Sequence, residues 1–128
     1  MIRYGFSIEV DAPFDQVLTK VGESLKDHGF GVLTKIDVQE KFKEKLGIDF
    51  QRYLILGACN PTFAHKAIVA EENIGLMLPC NILVYEKDRK TVLGVIKPSV
   101  AMKMIPNPEL ERNAQTVEAK LKSVFDSV

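Results

Sequence analysis

The most constraining feature of this chain is a change of hydrophobic period near residue 11. From Met1 to Val10 the apolar side chains Ile2, Tyr4, Phe6, Ile8 and Val10 alternate with Arg3, Gly5, Ser7 and Glu9. That period of two belongs to a strand with one face on a core and one in water. Phe14, Val17, Leu18, Val21 and Leu25 then recur at helical spacing from Pro13 to His28, and Gly29 ends the run. A strand that gives way directly to an amphipathic helix calls for a layer of helices against a sheet.

The rest of the chain keeps switching in the same way. Phe30 to Ile36 reads as a second strand. Asp37, with Glu40 three residues on, caps a short helix that Gly47 closes. Phe50 to Ala58 is a third strand, and Asn60-Pro61 opens a helix reaching Asn73. Pro79 to Glu86 and Thr91 to Lys97 form a hairpin around Asp88 to Lys90. Ser99 to Ile105 alternates and reads as a further short strand. Asn107-Pro108 caps a last helix with the stripe Leu110, Ala114, Val117, Leu121, Val124 and Phe125. The order β-α-β-α-β-α-β-β-(β)-α predicts an α+β fold, a largely antiparallel sheet with helices packed on one face, in one domain over residues 1–128.

Tyr53 to Leu56 and Ile82 to Val95 are apolar on both sides of their strands. One helical layer covers only one of those faces, so a homodimer is expected to cover the other. Seventeen Lys and Arg balance seventeen Asp and Glu. That balance speaks against a nucleic-acid partner and against a polybasic membrane-surface protein. No apolar run approaches the ~20 residues that cross a bilayer. The charged, alternating start of the chain is unlike a signal peptide, so the expected location is cytoplasmic.

Chemistry concentrates around two cysteines. In Gly57-Ala58-Cys59-Asn60-Pro61, Cys59 stands one residue before a helix cap, where free N–H groups and the helix dipole favour a thiolate or a bound anion. Cys80 opens a strand in Leu78-Pro79-Cys80-Asn81. Cys59, Asn60, Cys80 and Asn81 are the candidate ligand-binding residues. Cys59, His65 and Cys80 form the one soft-metal donor set, zinc being the natural candidate, although their spacing matches no standard zinc motif. His65 follows Cys59 on the next helix and faces away from Phe63 and Ala67. Three readings of the thiols stand side by side: a small-ligand or metal site, thiol chemistry with Cys59 attacking and Cys80 resolving, and two inert core thiols. No nucleotide loop, metalloprotease, CxxC or serine-hydrolase motif is present, so the pattern assigns no catalytic residue.

Gly31-Val32-Leu33-Thr34-Lys35-Ile36-Asp37-Val38, Leu46-Gly47-Ile48-Asp49-Phe50, Tyr53 to Pro61, Ala64-His65-Lys66-Ala67 and Ile74 to Asn81 together form a continuous signature. It resembles that of the bacterial and archaeal family known as domain of unknown function 302. The resemblance spans about residues 2 to 98 and continues in pattern through the last helix. It implies a curved antiparallel sheet of the TATA-box-binding-protein class, a dimer, and signature positions at Cys59, His65 and Cys80. It does not imply DNA binding, and it implies that no reaction is assigned to the family.

Overall fold

The computed structural model describes residues 2–128. The strands are β1 (Gly5–Val10), β2 (Gly31–Asp37), β3 (Tyr53–Cys59), β4 (Cys80–Lys87) and β5 (Lys90–Ile96). The helices are α1 (Phe14–Asp27), α2 (Val38–Leu46), α3 (Pro61–Ala70), α4 (Pro98–Ala101) and α5 (Pro108–Asp126), with a 3₁₀ turn at Glu72–Met77. All strands join one open antiparallel sheet in the order β1-β5-β4-β3-β2. The α+β expectation therefore holds. β3, β4 and β5 form a meander, and α1 carries the chain from the β1 edge to the β2 edge.

Alternation divides the sheet into two unlike faces. Leu54, Leu56 and Ala58 of β3, Ile82 and Val84 of β4, and Leu93 and Val95 of β5 pack under Val17, Val21 and Leu25 of α1 and Val117, Leu121 and Val124 of α5. A second cluster of Ala67, Ile74, Met102, Leu110 and Ala114 joins α3, the 3₁₀ turn and the segment after β5 to α5. The opposite face carries Ile36, Ile55, Leu83, Tyr53 and Tyr85. α2 stays outside the helical layer and buries none of its residues. Its Phe42 meets Phe50 at 5.0 Å, Phe50 meets Tyr53 at 6.5 Å, and Tyr53 stacks on Tyr85 at 5.1 Å between ring centroids.

The local signals fall where side chains can hold them. Asp37 Oδ1 accepts from the Glu40 N–H at 3.0 Å, and Gly47 ends α2 with a left-handed φ of 67°. Asn107 Oδ1 accepts from the N–H groups of Glu109 and Leu110 at 3.1 and 3.2 Å. The hairpin turn is tighter than expected: Asp88 and Arg89 alone, both at positive φ, link Lys87 to Lys90.

Three expectations are corrected. The first strand begins at Gly5 rather than at the start of the chain, and Met1 lies outside the described residues. β1 is an edge strand, so Ile8, expected inside, is 49% exposed. The helix after Asn60 stops at Ala70, and the chain continues as the 3₁₀ turn instead of running on to Asn73. Ser99 to Ile105 is no strand. Pro98 starts the single helical turn of α4, and Met104, the last apolar member of the alternation, is 80% exposed. The edge that such a strand would have joined, beside β5, is already filled by β1.

Candidate functional site

β3 enters the site through Gly57. A Cβ at Gly57 would lie 2.6 Å from Pro79 Cγ and would overlap Thr34 Oγ1. The absent side chain lets β2 and the Leu78-Pro79 segment, whose peptide is cis, close over β3. β3 then ends at Cys59. Asn60 caps α3, its Oδ1 accepting from the Phe63 N–H at 3.4 Å, and Pro61 takes the first helical position. Across the ladder, Ala58 is paired with Cys80 and Gly57 with Asn81. The two cysteines therefore stand one residue out of step on neighbouring strands, at the same end of the sheet.

Cys59 and Cys80 both border one cavity of about 30 Å³, which Phe30, Phe63, Ala67, Met102 and Val117 also line. That is about the share of one water molecule in the liquid, while pockets for organic ligands run to roughly 300–1,000 Å³. Cys80 is buried and Cys59 is half-buried. Burial pushes the Cys80 thiol up to about 11, and the neighbouring Cys59 adds to the shift because a second thiolate beside the first is unfavourable. Cys80 is thus a neutral thiol at physiological pH, facing inward with its ladder partner Ala58, and Cys59 is the more exposed of the two.

The structure brings together Cys59, Asn60 and Cys80 from the residues picked out by sequence. Asn81 is not among the lining residues. It is exposed and, one step along β4 from Cys80, belongs to the opposite face of the sheet. His65 is also elsewhere. Successive helical residues turn by about 100°, so with Phe63, Ala64 and Ala67 turned to the cavity, His65 falls on the far side of α3. The donor set Cys59, His65 and Cys80 is therefore not assembled. Among the described residues, no group of three or more His, Cys, Asp and Glu side chains is arranged to hold a metal ion.

His65 instead lines a groove of about 460 Å³ between α3 and α5, together with Lys66, Arg112 and Phe63. Sequence reasoning did not find this groove. Its residues come from two helices separated by the whole β-hairpin, and no local pattern links them. Phe63 belongs to both the thiol cavity and the groove.

Among the described residues, no helix is long and apolar enough to cross a membrane. No curated protein matches the chain. A solved structure titled as the uncharacterized conserved protein DUF302 from Bacillus stearothermophilus is 32% identical, covers 98% of each chain and superposes with a TM-score of 0.92. The family model described as domain of unknown function DUF302 matches residues 6–128. The chain, with these two cysteines at one end of an open five-stranded sheet, belongs to the DUF302 family.

Proposed function

We propose that this protein works by dithiol–disulfide exchange, with Cys59 as the attacking thiol and Cys80 as the resolving one. The observation that carries the reading is the shared cavity: the half-buried Cys59 and the buried Cys80 both border the same small space. A soft-metal site asks for three or four donors, and His65 stands apart from the thiols. A small organic ligand asks for far more volume. Thiol exchange needs only two sulfurs and a path to one of them. Mass measurement after treatment with a small disulfide tests it. The expected product is a chain lighter by two hydrogens with no covalent link to a second chain, restored by reductant. Cys80→Ser should stop at a mixed disulfide on Cys59, and Cys59→Ser should not react. If both thiols remain alkylatable after the treatment, the pair is core packing and the reading fails.

We infer also that a second copy of the chain pairs along the β2 edge of the sheet. β2 is an edge strand with Leu33 66% exposed and Ile36 45% exposed, a feature that edge strands normally avoid. Antiparallel pairing of β2 with its copy about Ile36 sets Lys35 opposite Asp37 of the partner subunit. The zero net charge of the chain removes self-repulsion. Sedimentation should give twice 14.3 kDa for the wild type and a single-chain mass for Ile36→Lys. A single-chain mass for the wild type at micromolar concentration refutes it.

A further inference from the structure

The groove between α3 and α5 has three properties that the thiol cavity lacks. It is large enough, at about 460 Å³, for a small organic molecule. It is held open by the fold: Asn113 Nδ2 donates to the Phe63 carbonyl at 2.9 Å, and Asn107 Nδ2 donates to the Ala70 carbonyl at 2.7 Å. These two asparagines tie both ends of α3 to α5, so the groove is preformed. It is also rich in unpaired cations. Lys66 and Arg112 line it, and Lys120 reaches over Phe63 from α5. The Nζ atoms of Lys66 and Lys120 stand 5.4 and 5.7 Å from the Phe63 ring centroid. Five ion pairs form among the described residues, and none of these three cations takes part in one. Glu109 is the sole carboxylate among the lining residues.

The position of Phe63 joins this groove to the chemistry. Phe63 borders both the Cys59 cavity and the groove, and the two ammonium groups stand 5.4 and 5.7 Å from its ring centroid.

Building on the dithiol reading, we propose that the α3–α5 groove binds a low-molecular-weight disulfide bearing carboxylates and presents its sulfur to Cys59. The Cys59 thiolate attacks one sulfur of the disulfide. A Cys59–ligand S–S bond forms, the ligand's own S–S bond breaks, and one half leaves as a thiolate that takes a proton from water. Cys80 then attacks the Cys59 sulfur and gives its proton to the departing second half. The protein dithiol is oxidised by two electrons, and the ligand disulfide is reduced to two thiols.

The test compares two probes on the full chain: a dianionic bis-nitrobenzoate disulfide and an uncharged dipyridyl disulfide. Rates are measured for the wild type and for a charge-reversed variant, Lys66→Glu with Arg112→Glu. Both positions are exposed, so circular dichroism should show an unchanged fold. The readout is the ratio of the anionic to the uncharged rate, since the uncharged probe reports the reactivity of Cys59 itself in each protein. The ratio should fall by about tenfold in the variant, and in the wild type it should fall with added salt. An equal ratio in the two proteins overturns the groove assignment and leaves the dithiol reading standing. Release of one thiol per chain from the uncharged probe, rather than two, overturns the dithiol reading and the groove assignment with it.

Discussion

Replacing Gly57 by alanine tests the way β3 is held beneath its neighbours. Alanine in a strand ordinarily stabilises over glycine by about 0.5–1 kcal/mol, because the unfolded chain loses freedom. At Gly57 the sign reverses. The added methyl stands 2.6 Å from Pro79 Cγ, whereas non-bonded carbons rest at about 3.5–4.0 Å. It also overlaps Thr34 Oγ1. Neither obstacle is the far end of a flexible chain. Thr34 is β-branched on a strand paired directly to Gly57, and the other atom belongs to a proline ring. Inserting a methylene into packed surroundings costs about 1–3 kcal/mol, and with two rigid obstacles the upper end applies. The expected loss is about 3 kcal/mol, or a fall in Tm on the order of 10 °C for a chain of this size. Urea unfolding followed by circular dichroism reads this directly. Thr34→Ala removes one obstacle, so the double variant should be less destabilised than the sum of the singles by about 1 kcal/mol. Gly57→Ala within half a kcal/mol of wild type, or strict additivity in the cycle, refutes the close approach of β2 and Pro79 over β3.

Further expectations separate other parts of the fold. Asn60→Ala loses one cap bond and should cost about 1 kcal/mol, whereas Asn107→Ala also loses donations to the Ala70 carbonyl and to Glu71 Oε1, and should cost about 2–3 kcal/mol by chemical denaturation. Leu121→Ala, at a fully buried position of α5, should cost about 2–5 kcal/mol by the same assay. Because the buried Cys80 thiol is raised from 9.0 to about 11, the folded state holds its proton more tightly than the unfolded state does. The stability tied to it is fully present below pH 9 and is lost as pH rises toward 11, amounting to roughly 2–3 kcal/mol. Urea titrations across that range should therefore show the wild type losing stability relative to Cys80→Ala, and parallel curves would contradict it.

Much of the fold was legible along the chain because its signals are local. The two Asn-Pro pairs each mark a cap and a first helical residue, and both helices start there. The stripe from Leu110 to Val124 is buried, its later half against the sheet and its start against α3, because burial of one helical face follows from spacing alone. The misread stretch was Ser99 to Ile105, where alternation of Val100, Met102 and Met104 imitates a strand. Whether such a segment pairs depends on a free sheet edge, and β1, some ninety residues earlier in the chain, holds that edge.

The site divides along the same line. The order of residues was enough to put Cys59 before a helix cap, Cys80 at a strand start, and His65 on α3. It left the distance between the thiols open, because that distance is set by the register that pairs Ala58 with Cys80. Register depends on burying the inward rows of three strands at once, and a shift of one residue would turn every one of them outward. For the same reason the sequence gathered Cys59, His65 and Cys80 into one set by chemical likeness, while the folded chain sends His65 to a groove with Lys66 and Arg112. Periodicity and capping belong to neighbours along the chain. Which thiols, cations and rings meet belongs to the packing of α3 against α5 and of β3 against β4, and that packing is settled only when the whole core is buried together.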